Sequence, residues 1–328
     1  MTNPIRWGIM STGNIAHAFA SALQHTPGAE LVAVGSRNMA TAEAFAEQYK
    51  IPNRHDSYAS LANDPNVDII YIGTPHIFHY ENMRLCLEAG KAVLCEKAFT
   101  INAQEAQTII DLAREKNLFL MEALWTRFTP AMRKIQDIIH EGVIGEIRTV
   151  TADFGINRPF DPDHRLYNPD LGGGALLDIG IYPLMFALTL LGEPSTIVST
   201  AQFSELGMDT QMGLLLNYDN GKIASLTATL QSATPCVATI NGSAGRIEVA
   251  ANFWMTQEFT VITEQGEDVH DMPFEFNGYE YEAAEAMRCL SEGLTESPVM
   301  PHADTLLIMR TMDAIRQQWG MTYPTEQT

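Results

Sequence analysis

The stretch Gly8-Ile9-Met10-Ser11-Thr12-Gly13-Asn14-Ile15-Ala16 follows an apolar, β-branched opening and leads into residues with helical spacing. A G-x-G-x-x-G/A phosphate fingerprint laid on it falls on Ser11, Gly13 and Ala16, so its first glycine is replaced. Gly13 still lets backbone approach a pyrophosphate, and the helix beginning at Asn14 and Ile15 offers its first N–H groups and positive dipole end. Ser11, Thr12, Gly13, Asn14 and Ile15 are therefore candidate phosphate contacts. A plain strand-to-helix turn in another kind of α/β protein has the same pattern. Further on, Val34-Gly35-Ser36-Arg37-Asn38 closes the second strand-like run. An NAD site usually ends that strand with an acid on the ribose 2′-OH, whereas a hydroxyl and a guanidinium suit the doubly charged 2′-phosphate of NADP. Arg37 as a solvated loop cation is the alternative.

These residues need a scaffold, and the first 122 residues supply one. Strand candidates at 5–10, 31–36, 69–73, 93–95 and 119–121 alternate with helix-period segments at 15–24, 41–48, 80–89 and 103–116, the last capped by Asn102. Alternation of this kind predicts a doubly wound parallel sheet, in which ligands gather at the carboxyl ends of the strands. Those ends carry Ser11-Thr12, Ser36-Arg37, Thr74-Pro75-His76, Glu96-Lys97 and Glu122. Lys97, after the apolar run Ala92-Val93-Leu94-Cys95, would have its stem in protein and its ammonium near the nicotinamide end of a dinucleotide. An ion pair with Glu96 or another acid is its structural alternative.

The remainder, 123–328, has a different pattern. After a helical stretch at 126–142 come strand-like runs at 147–154, 210–218, 223–230, 237–241 and 259–263, with helices at 174–191, 281–293 and 303–318. The expected architecture is α/β: an N-terminal doubly wound, dinucleotide-binding domain over 1–122 and a C-terminal α+β domain over 123–328 with a largely antiparallel sheet. With 40 acidic and 20 basic residues, the net charge of −20 disfavours nucleic acid and anionic membrane surfaces. No apolar run approaches the roughly 20 residues of a spanning helix and no secretory leader opens the chain, so a cytoplasmic location is expected. Cys86, Cys95, Cys236 and Cys289 lack C-x-x-C spacing and read as reduced. The histidines and acids form no metal-ligand spacing, so no metal is expected.

The motifs resemble the family of glucose–fructose oxidoreductase, inositol dehydrogenase and the dimeric dihydrodiol dehydrogenases. The likeness runs from the fingerprint through Thr74-Pro75-His76-Ile77-Phe78-His79, Cys95-Glu96-Lys97-Ala98 and Glu122-Ala123-Leu124-Trp125-Thr126-Arg127-Phe128. It continues in Arg165-Leu166-Tyr167-Asn168-Pro169-Asp170-Leu171-Gly172-Gly173-Gly174-Ala175-Leu176-Leu177-Asp178-Ile179-Gly180-Ile181-Tyr182-Pro183. The resemblance implies a Rossmann domain, an open antiparallel sheet that often forms dimers, and hydride transfer between a secondary carbinol and NAD(P). Two departures stand out: E-K-P reads E-K-A at Ala98, and Tyr182 stands where many sugar and inositol dehydrogenases carry histidine. Tyrosine there resembles the dihydrodiol dehydrogenase branch, whose members use NADP, in agreement with Arg37.

The resemblance makes Tyr182 the group that exchanges the hydroxyl proton, Lys97 the charge that lowers the phenol's pKa from its ordinary value near 10, and Asp178 a support. If 174–191 is helical, Asp178 and Tyr182 share a face, and Asp178 would orient substrate or hold Lys97. Otherwise Asp178 is a buried ion-pair acceptor and Tyr182 a core aromatic. His76, His79, Glu96, Trp125 and Arg127 are matched positions around the coenzyme, and Arg165 a weaker one for substrate. The expected protein is thus an NADP-dependent oxidoreductase of a polyol, sugar, dihydrodiol or dicarbonyl, homodimeric through its second sheet, with NAD(H) also possible. Its rivals are an NAD-linked sugar or inositol dehydrogenase and a non-catalytic NAD(P)-binding sensor.

Overall fold

The computed structural model describes residues 4–326. Packing divides the chain into two compact units: one holds the chain up to Phe128 together with Glu275–Leu306, the other Thr129–Phe274 and the chain from Leu307 on. The first unit alternates β1 (Ile5–Met10), α1 (Asn14–Leu23), β2 (Ala29–Gly35), α2 (Met39–Tyr49), β3 (Asn53–His55), α3 (Tyr58–Ala62), β4 (Ile69–Ile72), α4 (His79–Glu88), β5 (Ala92–Glu96), α5 (Ala103–Glu115) and β6 (Leu120–Ala123). Its sheet has the order β3-β2-β1-β4-β5-β6, all parallel. The order reverses between β1 and β4, the switch point at which a doubly wound sheet opens a ligand crevice.

Strands β4, β5 and β6 are buried along their whole length, which is why they read as unbroken apolar runs rather than alternating ones. Phe19 of α1 stacks on Tyr71 of β4 with ring centroids 3.8 Å apart and meets Trp7 of β1 edge-on at 5.3 Å. All three rings are fully buried, each contributing about 2–3 kcal/mol, and they fix α1 over the switch point. Asn38 and Asn102 cap α2 and α5 by accepting from Ala40 N and Glu105 N, each at 2.8 Å. By contrast, α1 begins on Gly13, which has no side chain to bond its first amides.

The second unit contains α6 (Pro130–His140), β7 (Ile147–Gly155), a π-helical turn at Leu176–Gly180, α7 (Ile181–Leu191), β8 (Thr196–Phe203), β9 (Asp209–Asn217), β10 (Ile223–Thr229), β11 (Ala238–Gly242), β12 (Gly245–Val249), β13 (Glu258–Thr263) and β14 (Gly266–Asp271). These strands form one sheet in the order β14-β13-β12-β11-β7-β10-β9-β8. Every neighbouring pair is antiparallel except β7 and β10. Val150, Ala152 and Phe154 of β7, Met212, Leu214 and Leu216 of β9, and Ala224, Leu226 and Ala228 of β10 are buried on the face that α7 covers. On the opposite face Val198 and Leu215 are register partners, 60% and 39% exposed, and Ile223 pairs with Asn217 beside them. This is the open sheet.

The segment Pro169–Leu191 is long and apolar enough to cross a membrane, contrary to the sequence-based expectation that no run approaches that length; most of it is buried inside the protein, as a core helix is. The predicted single boundary after Glu122 also differs from the structure. Chain 275–306 belongs to the first unit, where α8 (Glu280–Ser291) packs on α1 and on the turn Trp125–Phe128. The last helix, α9 (His302–Trp319), supplies residues to both units.

Candidate active site

At the carboxyl end of β1, Ser11 has φ 135°, a region that L side chains rarely enter and that glycine occupies freely. This is the position of the missing first glycine, and Ser11 Oγ accepts from Gly13 N at 3.1 Å. Gly13 itself has φ −82° and ψ 178°, ordinary extended backbone. A Cβ added there would touch only Ser11 Oγ, at 3.5 Å. Among the described residues nothing requires glycine at 13, whereas a pyrophosphate resting on the α1 amides, which no N-cap side chain bonds, would. Thr12, Asn14 and Ile15 are only partly covered or exposed around it. The residues fit a bound dinucleotide.

Arg37, exposed after β2, lies with its Cζ 5.9 Å from the Phe78 ring centroid and beside Tyr58. Burial raises the Tyr58 phenol pKa, and the Arg37 charge opposes that rise. The Ser36 hydroxyl sits 2.6 Å from Thr41 Oγ1 and accepts from Asn38 N at 3.4 Å, so it shapes the loop that presents Arg37.

Around the end of β5 the polar groups are buried and interlocked. Tyr71 O–H donates to Glu96 Oε1 at 2.5 Å, and Lys97 N–H donates to Glu96 Oε2 at 3.2 Å, so Glu96 holds the main chain from which the Lys97 side chain springs. The Lys97–Ala98 peptide bond is cis. His79, fully buried, turns its ring nitrogens to the carbonyl oxygens of Ala98 at 2.9 Å and Thr74 at 2.7 Å; it braces the loops after β4 and β5. Burial lowers its pKa. Thr74 Oγ1 accepts from Asn82 Nδ2 at 3.0 Å, following the Pro75 turn, and His76 meets His79 edge-on. Glu122 accepts from Phe99 N at 3.2 Å, and burial pushes its pKa up to about 7. Glu282 of α8 is fully buried with neither carboxyl oxygen hydrogen-bonded among the described residues, and burial together with Glu96 drives its pKa well up.

Trp125 and Arg127, predicted near the coenzyme, are buried in the same unit. Trp125 stacks on Tyr279 at 4.6 Å, and Arg127 Nη1 pairs with Asp304 Oδ2 at 2.7 Å. Tyr279 and Asp304 lie in the returning segment and have no signal in the sequence that links them to the first 128 residues.

In the second unit Asp178 sits within the π-turn and Tyr182 in the first turn of α7, so the helix expected over 174–191 changes from π to α geometry between them. The π-turn widens the spacing, so the same-face argument drawn from an unbroken α-helix no longer applies. Asp178, buried, takes a two-pronged contact from Arg165, Nη1 to Oδ1 at 2.6 Å and Nη2 to Oδ2 at 3.3 Å. Tyr182 lies 5.6 Å from the Phe154 ring and 6.2 Å from that of Trp254, and these two rings stack at 3.7 Å. Sequence reasoning missed Phe154 and Trp254. Phe154 was visible only as an inward position of β7, and Trp254 sits in a short turn at Phe253–Met255 that no periodicity marks.

A parallel 3-2-1-4-5-6 sheet and a strand-to-helix turn whose N-cap, Gly13, carries no side chain belong to the dinucleotide-binding class, and the relatives make this one an NAD(P)-dependent oxidoreductase acting on CH–OH groups. A family model described as an oxidoreductase family with an NAD-binding Rossmann fold matches residues 5–124, and one for the GFO/IDH/MocA C-terminal domain matches 132–248. The chain belongs to the Gfo/Idh/MocA family. It is 38% identical to trans-1,2-dihydrobenzene-1,2-diol dehydrogenase of Mus musculus, over 98% of each chain. Among solved structures, a 3-ketoreductase from Actinomadura kijaniata in complex with NADP and TDP-benzene is 29% identical with TM-score 0.85, over 96% of this chain and 98% of that one. Aldose–aldose oxidoreductase from Caulobacter crescentus, 23% identical with TM-score 0.88 over 97% and 99% of the two chains, shares the fold.

Proposed function

We propose that the protein is an NADP-preferring dehydrogenase of cyclic dihydrodiols, working also in reverse on the matching ketones. The observation that carries the substrate class is the Phe154–Trp254 stack beside Tyr182, a flat apolar wall next to a proton-exchanging hydroxyl. An unsaturated ring gains from such a wall, whereas a fully hydroxylated sugar would bury polar groups against it. The dihydrodiol dehydrogenase relatives support the same class. Arg37, with no acid at the end of β2, supports NADP, as does the NADP in the related ketoreductase.

A dinucleotide held on the Gly13 turn would supply the acceptor for the hydride of the carbinol carbon. Tyr182 accepts the hydroxyl proton as the C–O bond becomes a carbonyl, and returns it in reduction. Lys97 favours the phenolate by its charge, and Asp178, gripped by Arg165, supports the geometry. Solved variants of the ketoreductase alter a lysine and a tyrosine, in keeping with such a pair. Thr74, Pro75 and His76, at the carboxyl end of β4, would border a bound coenzyme. The open sheet face with Val198, Leu215 and Ile223 is the expected homodimer contact.

The test is coenzyme-coupled absorbance with trans-dihydrodiols, dicarbonyls, sugars and inositols, run on the wild type and on Tyr182→Phe. Dihydrodiol turnover with NADP+ that falls roughly 10²–10⁴-fold in Tyr182→Phe is expected. Turnover confined to sugars or inositol with NAD+ would overturn the assignment.

A further inference from the structure

Gly173 and Gly174, the two glycines before Ala175, are pressed against neighbouring chain. Gly174 has φ 113°, and a Cβ there would collide with Asp209 Oδ1. Gly173 lies against the carbonyl oxygens of Arg165 and Leu166, each 2.8 Å from where its Cβ would be. Asp209, at the start of β9, is fully buried, and its Oδ2 accepts from Leu176 N at 2.7 Å, the first residue of the π-turn. Tyr323, also fully buried, donates its O–H to Gly173 O at 2.6 Å. The Tyr323 ring lies under the Arg316 guanidinium at 5.1 Å, and Arg316 is tied to Glu326 at 2.7 Å and Asp313 at 2.8 Å. Tyr323 N–H donates to the same Glu326 carboxylate at 2.8 Å.

We propose that Asp209 and Tyr323 are positioning residues for the reaction, a buried latch that holds the Gly173–Leu176 turn at both its ends and so fixes the orientation of Asp178 and Tyr182. The inference rests on the acid–base role given to Tyr182 above. Two features argue for it over simple packing. Each latch group bonds the main chain of the turn itself, at Gly173 O and Leu176 N, rather than a neighbouring side chain. An acid also stands there although burial pushes its pKa up to about 6, a cost that an apolar filler would avoid. The turn lies only two residues before Asp178, so a loosened clamp shifts the reacting groups by the order of an ångström, a displacement that can cost about 10²-fold in rate.

The experiment uses the full chain with benzene trans-dihydrodiol and NADP+, measuring kcat and KM, NADPH affinity by fluorescence titration, and hydrogen exchange over residues 171–186. Tyr323→Phe and Asp209→Ala are expected to lower kcat roughly 10- to 100-fold, to speed exchange in that segment, and to leave NADPH affinity within about threefold. Asp209→Asn keeps an acceptor for Leu176 N and is expected to retain most of kcat. If Asp209→Ala does not fold, Tyr323→Phe, which removes one hydroxyl, decides alone. A folded Tyr323→Phe with wild-type kcat overturns the latch. Undiminished turnover in Tyr182→Phe overturns instead the acid–base role on which the latch is built, so the two failures are distinguishable.

Discussion

A methyl group added at Gly13 is expected to move stability and coenzyme affinity in opposite directions. The backbone there is extended, with φ −82°, so alanine adopts it without strain. The new Cβ meets only Ser11 Oγ at 3.5 Å, an ordinary contact. Removing glycine's freedom from the unfolded chain should therefore stabilise the fold by about 0.4–1 kcal/mol. The coenzyme is affected differently. A phosphate bonded to the α1 amides approaches the backbone at about 3 Å, and a methyl carbon at that point forces it outward. Losing one or two charge-assisted hydrogen bonds costs about 2–4 kcal/mol, or roughly 30- to 1000-fold in affinity. Denaturant unfolding and fluorescence titration of NADPH, on the same Gly13→Ala preparation, read the two quantities. Unchanged coenzyme affinity in a folded variant would refute the assignment of this turn as the pyrophosphate cradle.

Arg37→Ala should weaken NADPH by about 1.5–3 kcal/mol, roughly 10- to 150-fold, with NADH affinity little changed; equal losses for both would show that the guanidinium does not read the 2′-phosphate. Glu122, at about 7 in the fold against 4.5 unfolded, keeps its proton in the folded state where the unfolded chain releases it. The stability it permits is full below about pH 4.5 and lost as pH rises through 7, by up to about 3 kcal/mol. Glu122→Gln should therefore gain on the wild type between pH 5 and pH 8 in urea melts, and a constant difference would argue against a buried neutral acid. Light scattering at micromolar concentration should give a dimer mass, and Leu215→Glu, on the open sheet face, a monomer.

The first sheet was legible because its central strands are buried on both faces and its helices carry caps such as Asn102 that the eye can find. The short edge strand β3 was not, since three residues set no period. In the second sheet, β14 reads Gly-Glu-Asp-Val-His-Asp, an edge strand whose charges protect it from further pairing and also disguise it as loop. Of the candidate site, Gly13, Arg37 and Lys97 could be reached from strand ends alone. Asp178 and Tyr182 needed the resemblance, and the π-turn that holds Asp178 has no sequence signature. Phe154, Trp254, Asp209 and Tyr323 are brought to the site by contacts between residues far apart in the chain, which no local pattern encodes.

The return of chain 275–306 to the first unit has a consequence for how the protein is made. A ribosome adding about 5–20 residues per second takes roughly 7–30 s to pass from residue 129 to residue 274. Throughout that interval the nascent Rossmann sheet lacks α8, and the faces of α1 and of the Trp125–Phe128 turn that α8 covers stay open. Closure of this unit is a late, non-local event in synthesis, and a fragment ending at residue 128 leaves uncovered the faces of α1 and of the Trp125–Phe128 turn that α8 packs on.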